Sequence, residues 1–121
     1  MRETESECLA LDELIEEIDE DMVPVVFESF VEDTSGAVDA ISNCVAQRDA
    51  EKLRKLSHRL KGCFISIKAY KAASIAKELE EKGQKSQFDD LDVHLAGLKS
   101  EYSKVVNYID RYMAATVKSG N

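Results

Sequence analysis

The residues best placed to do chemistry cluster around His58. Leu53, Leu56, Leu60, Phe64 and Ile67 recur at helical spacing and fall within about 40° of one line at 100° per residue. On that wheel His58 lies roughly 160° from Leu60, so it faces away from the apolar stripe. Arg54, Lys55, Lys61 and Gly62 stand within a turn of it, and Ile65 lies two turns on. A neutral imidazole is a competent nucleophile towards phosphorus, and the phosphoramidate it forms can pass its phosphoryl group onward. An exposed Lys61 at i+3 can set its ammonium against phosphoryl oxygens, while Arg54 and Lys55 either raise the local positive field or are plain solvated lysine and arginine. Positioning and charge stabilisation are most of what phosphoryl transfer asks of a protein.

Two neighbours of His58 have no folding reason to be where they are. A glycine inside a helix costs about 1 kcal/mol relative to alanine, and the apolar period runs past Gly62 to Phe64 and Ile67. Gly62 serves either the close packing of another helix or, since it faces outward, clearance for something that approaches the backbone beside His58. Ile65 puts a branched apolar side chain on the same face. A lone exposed hydrophobe means little, but next to Gly62 and His58 it reads as part of a docking patch. The chain has no Gly-rich phosphate loop of either usual type, so a phosphoryl group must come from a partner.

The elements that position these residues are helices. Leu11, Leu14, Ile15 and Ile18 mark a short first helix, and residues 1–7 before it are polar and frayed. Asp21 is a candidate cap for a second helix that tolerates Pro24 in its first turn. Phe27, Phe30, Val31, Thr34, Val38, Ile41 and Val45 keep its three-four spacing to about Gln47, with Gly36 weakening it locally without ending it. Asp49 caps the third helix, which carries His58 and ends near Ile67 or Lys68. Read as a strand, residues 64–67 would have nothing to pair with. A fourth helix turns Ala72, Ile75, Ala76 and Leu79 inward and stops near Gly83. Ser86 or Asp89 opens a fifth, with a stripe of Phe88, Leu91, Leu95, Leu98, Tyr102, Val105, Ile109 and Tyr112. Residues 117–121 form a loose tail. Long amphipathic helices with short connections bury their stripes by packing together. The expected fold is all-α: an antiparallel four-helix bundle with an additional short N-terminal helix, residues 1–121 making a single domain.

Composition narrows the function classes. No apolar run approaches the roughly 18 residues of a membrane span, and the acidic start is unlike a signal peptide. Cys8, Cys44 and Cys63 are odd in number with no C-x-x-C spacing, which suits reduced, buried thiols over a disulfide framework or a metal site. These features point to the cytoplasm, with no metal and no membrane. Residues 1–35 hold thirteen acids and one base, and residues 48–85 hold eleven bases and five acids. The overall net charge of −8 argues against nucleic acid as a partner. The acidic segment is either a solvated face or a device that excludes wrong partners and offsets the basic helix. His94 reads as a rim residue of the last helix, and Tyr70, Tyr102, Tyr108 and Tyr112 as core and boundary packing.

His58-Arg59-Leu60-Lys61-Gly62, with Leu79-Glu80 and Gly83 one helix later, resembles the histidine-phosphotransfer (HPt) domain of multistep phosphorelays. That family's pattern is roughly A-H-x-L-K-G-S-S-x-x-L-G-A, then L-E-x-x-G. Here Ser57 stands for the alanine, Cys63-Phe64 for the small pair, Ile67 for leucine and Lys68 for the glycine, while Ala69 matches. The resemblance implies that His58 is the phosphoacceptor and exchanges the group with the aspartate of a response-regulator receiver domain, or of a hybrid sensor histidine kinase. The Mg²⁺ would belong to the receiver, and this chain would hold no cofactor. Glu80 matches the position whose side chain orients the imidazole; an ordinary surface carboxylate paired with Lys61 or Lys77 is the other reading. The resemblance favours a monomeric phosphocarrier without its own turnover.

Two other functions remain in view from sequence. One is a non-transferring helical module that sequesters response regulators or another helical partner, which would need none of His58, Lys61 and Gly62. The other is an autokinase dimerisation domain, against which stand Arg59 in place of an acidic residue and the lack of a following ATP-binding domain.

Overall fold

The computed structural model describes residues 8–120, with side chains described to residue 116. The expected fraying of residues 1–7 lies outside the described residues. The described chain is an all-helical bundle. Its elements are α1 (Leu11–Glu17), a single 3₁₀ turn (Glu20–Met22), α2 (Val23–Thr34), α3 (Ala37–Gln47), α4 (Ala50–Ser66), α5 (Tyr70–Gln84) and α6 (Leu91–Gly120). Among the described residues no helix is long and apolar enough to cross a membrane.

The expected second helix is two helices. Gly36 does end it, with φ of +78°, a left-handed backbone that costs glycine nothing and other residues about 1 kcal/mol or more. The apolar spacing runs unbroken through these residues and so hides the stop. Asp21 sits within the 3₁₀ turn and caps nothing; Met22 occupies the cap position of α2, and Pro24 lies in its first turn as expected. Asp49 does cap α4, its Oδ1 accepting from Lys52 N at 3.1 Å.

Three helices end in Schellman turns built without glycine. After α4, Ala69 N donates to Phe64 O at 2.9 Å and Lys68 N to Ile65 O at 2.9 Å, with Lys68 left-handed at φ +63°. Arg48 after α3 and Ser86 after α5 repeat the pattern at φ +55° and +53°. Lys68 therefore supplies the turn that the family's glycine would make freely. Its ammonium meets Glu17 Oε1 of α1 at 2.6 Å, and its carbonyl accepts from Ala10 N at 3.0 Å. Glu13 of the same helix accepts the Tyr70 hydroxyl at 2.7 Å, so Tyr70 is an exposed strap across the surface and not core packing. α1 is thus tied over the α4–α5 turn, with Leu9 and Leu14 buried beneath.

α6 begins later than Ser86 or Asp89, because Ser86 and then Asp90 (φ +64°) keep the connection out of the helix. Phe88 consequently lies in that connection, where the Arg48 guanidinium stacks over its ring 5.0 Å from the centroid. The backbone of α6 is helical on to Gly120, through most of the segment expected to be a loose tail.

α4 and α5 make the most extensive helix pair, with α3 packed on α4, α6 on α5, and α2 touching both α4 and α6. One hydrophobic cluster joins them, including Phe27, Phe30, Ile41, Leu53, Leu60, Phe64, Ile67, Leu79, Leu98 and Ile109. Phe30, Phe64 and Tyr102 pack ring against ring between α2, α4 and α6. Thr34 Oγ1 donates to Phe30 O at 2.8 Å and lies 2.9 Å from the Tyr102 hydroxyl, which satisfies a buried hydroxyl at the end of α2.

Candidate functional site

Helical phase places the site. α4 buries Leu53, Ser57, Leu60 and Phe64, which leaves His58, Gly62 and Ile65 on the opposite, exposed side. The His58 side chain is 65% exposed, and Ile65 is 44% exposed. A Cβ on Gly62 would meet nothing within 4 Å, so this glycine is not there to admit a neighbouring helix of the same chain.

Among the described residues, α5 supplies the one carboxylate that reaches the ring. His58 Nδ1 lies 2.9 Å from Glu80 Oε2, and Lys61 Nζ lies 2.8 Å from Glu80 Oε1. One Glu80 side chain thus lies within reach of both His58 and Lys61, through its two oxygens. Lys61 is correspondingly less exposed than its helical position suggested, at 23%. The ammonium of Lys61 holds the Glu80 carboxyl below the usual carboxylate range, with partial burial opposing it and the His58 hydrogen bond helping. An ionised carboxylate only accepts, so Nδ1 carries the proton and donates it to Glu80. In the neutral ring that leaves the lone pair on Nε2, on a side chain that is 65% exposed. That is the tautomer and orientation a phosphorus nucleophile on Nε2 needs.

Arg54 and Lys55 are less available than their positions implied. Glu51 Oε2 accepts from Arg54 Nη2 at 3.0 Å and sits 3.8 Å from Lys55 Nζ. The Arg54 contact draws the Glu51 carboxyl below its ordinary range. Arg54 faces Glu80 and Gly83 across an open cleft of about 550 Å³ that also includes Ala50, Gln84 and Ser86. Lys55, 66% exposed, points to solvent near the site.

Two residues that the sequence named only as motif positions have surroundings it did not show. Ser57, at the family's alanine position, is fully buried, and its hydroxyl has no hydrogen-bond partner among the described residues. Gly83 is the next-to-last residue of α5, so the helix stops where expected, and its backbone rests on that of α4 near Arg54. The motif spacing named Gly83 without revealing what it packs against.

The remaining candidates behave as background. His94 donates from Nδ1 to Asp90 O at 3.2 Å at the start of α6, a rim position. Cys8 and Cys44 are buried and Cys63 is half-buried, all as free thiols, and burial pushes each thiol up from its ordinary value. Among the described residues no group of three or more His, Cys, Asp or Glu could hold a metal ion.

Comparison with known proteins bears on the family and the fold. A family model described as Hpt domain matches residues 25–108, a span that contains His58, Lys61, Gly62, Glu80 and Gly83. Among solved structures, the crystal structure of histidine-containing phosphotransfer protein B (HptB) from Pseudomonas aeruginosa PAO1 superposes with a TM-score of 0.78 at 24% identity. The match covers 87% of this chain and 93% of that one, and it shows a shared fold. No curated protein sequence matches the chain. With the family model matched from α2 into α6 on an all-helical bundle, the chain belongs to the Hpt domain family of histidine-containing phosphotransfer proteins.

Proposed function

We propose that this protein accepts a phosphoryl group on His58 Nε2 from the aspartyl phosphate of a receiver domain and passes it to the aspartate of another. The observation that carries the reading is the 2.9 Å contact between His58 Nδ1 and Glu80 on an otherwise exposed ring. The Nε2 lone pair attacks phosphorus as the P–O bond to the receiver aspartate breaks. The electron pair leaves with the aspartate carboxylate, and an N–P bond forms. The ring gains positive charge while Nδ1 keeps its proton, and the Glu80 carboxylate offsets that charge where it develops. Lys61 moves from Glu80 Oε1 to the phosphoryl oxygens, a short path for a flexible side chain already beside the site. Nothing is oxidised or reduced, and the reverse transfer uses the same groups.

Gly62 and Ile65 form the approach surface, with Arg54 and Lys55 at its edge. Mg²⁺ belongs to the receiver, and this chain carries no cofactor and has no turnover of its own. The helices from α2/α3 through α6 act as an antiparallel four-helix bundle with α1 as an addition. We read the protein as a cytoplasmic, monomeric single domain. Its partners are receiver domains, free or fused to hybrid sensor kinases, with neither nucleic acid nor membrane involved. The sequestering alternative has no observation in its favour.

The test is transfer of labelled phosphate from receiver domains phosphorylated on aspartate. Label should appear once per chain, be acid-labile and base-stable, vanish in His58→Gln and persist in His94→Gln. Labelling of a folded His58→Gln variant would overturn the assignment.

A further inference from the structure

Gly83 does more than complete a motif. A Cβ built there would lie 2.8 Å from Arg54 N, 3.0 Å from Ala50 O and 3.1 Å from Arg54 Cα. All three are backbone atoms, which cannot rotate aside as the end of a side chain can. The backbones of α4 and α5 are therefore in direct contact at this point. Ala72 and Ala76, both fully buried, are small residues on the same face of α5 and favour a close approach along the pair. Glu80 is one turn before Gly83, and His58 is one turn beyond Arg54. The contacts climb α4 as they descend α5, and this backbone seat is one turn from the Nδ1–Oε2 bond.

We propose that Gly83 is a positioning residue: its backbone contact with α4 sets the separation at which Glu80 meets His58, and through Glu80 it sets the imidazole tautomer. The consequence for transfer rests on His58 being the phosphoacceptor; the consequence for the tautomer does not. Ordinary contact between carbon atoms is about 3.5–4.0 Å, so a Cβ at residue 83 opens the pair by roughly half an ångström or more. A 2.9 Å hydrogen bond stretched by that amount is at the limit of bonding. Glu80 has little freedom to follow, because Lys61 holds its other oxygen at 2.8 Å.

The experiment uses the full chain as Gly83→Ala, alone and combined with Glu80→Ala. One readout is the ¹⁵N spectrum of the neutral His58 ring. The other is phosphoryl uptake from an aspartate-phosphorylated receiver domain that charges the parent. Gly83→Ala should shift the ring from almost wholly Nδ1-protonated towards a mixture, and slow uptake roughly tenfold, the scale expected for misplacing a reacting group. In the Glu80→Ala background it should slow uptake no further, because the contact it acts through is gone. A folded Gly83→Ala variant with the parent's tautomer would overturn the proposal, as would equal slowing in both backgrounds. If Gly83→Ala does not fold, Ala76→Ser, which thickens the same face of α5 on the other side of Glu80, is read by the same two measurements and the same outcomes. If no receiver charges the parent, the phosphoacceptor reading fails, and the tautomer alone decides the role of Gly83.

Discussion

At the scale of single residues, the site is a contest for one carboxylate. Glu80 serves His58 and Lys61 together, and the Lys61 ammonium is the larger influence on its titration. Because the folded value is depressed, this carboxylate stabilises the fold above its unfolded value near 4.5, and the contribution is lost as pH falls through the lower, folded value. The Glu80 carboxyl ¹³C signal should therefore titrate below 4.5 in the parent. In Lys61→Ala its midpoint should move upward, since the largest lowering cause is removed while burial remains. An unmoved midpoint would show that the 2.8 Å contact is not made in solution. Gly62 poses a separate question, because open space surrounds the place where its Cβ would be. Gly62→Gln should hold or raise the melting temperature, glutamine being a better helix former by a few tenths to about 1 kcal/mol. The same variant should lose at least about tenfold in transfer, or roughly 1.4 kcal/mol, if clearance for a partner is the reason for the glycine. Full activity in the stable variant would leave Gly62 without a functional reason.

At the scale of elements, helix ends set the architecture and depend on left-handed residues. Gly36 takes that conformation freely, whereas Arg48, Lys68 and Ser86 take it against their side chains. The same type of exchange should then have opposite signs at two sites. Gly36→Ala should destabilise by about 1 kcal/mol although nothing lies within 4 Å of the added carbon, because the cost is in the backbone. Ser86→Gly should stabilise by about 0.5–1 kcal/mol, by relieving the strain at the end of α5. Urea denaturation of the two variants tests both signs; a neutral Gly36→Ala would mean the α2–α3 break is held by packing and not by its turn.

At the scale of the whole molecule, α1 belongs to the core. Leu9 and Leu14 are each 1% exposed and join the same cluster as the long helices, while Lys68 and Tyr70 fasten α1 from above. Leu14→Ala should cost about 2–5 kcal/mol, the usual range for a leucine removed from a well-packed interior. Unfolding should remain one transition, with far-ultraviolet circular dichroism and tyrosine fluorescence coinciding. A separate early loss of helix would show that α1 is an appendage and that its straps contribute little.

The sequence by itself determined most of the elements and which face of its helix His58 occupies. Helical spacing alone put His58, Gly62 and Ile65 on the outer face of α4, and the cap at Asp49 was legible because its side chain acts within one turn. Such features are local, and local chemistry is written in neighbouring residues. The ends of α3, α4 and α5 were harder to read, because their left-handed positions hold Arg48, Lys68 and Ser86 where glycine is the usual signal. The break at Gly36 was masked by an apolar rhythm that continues across it. Only the tertiary structure decided that Glu80 bridges His58 and Lys61 and that Glu51 occupies Arg54. It alone decided that Gly83 seats α5 on the backbone of α4, because the separation of two helices is set by atoms distant in the chain, which no spacing within either helix records.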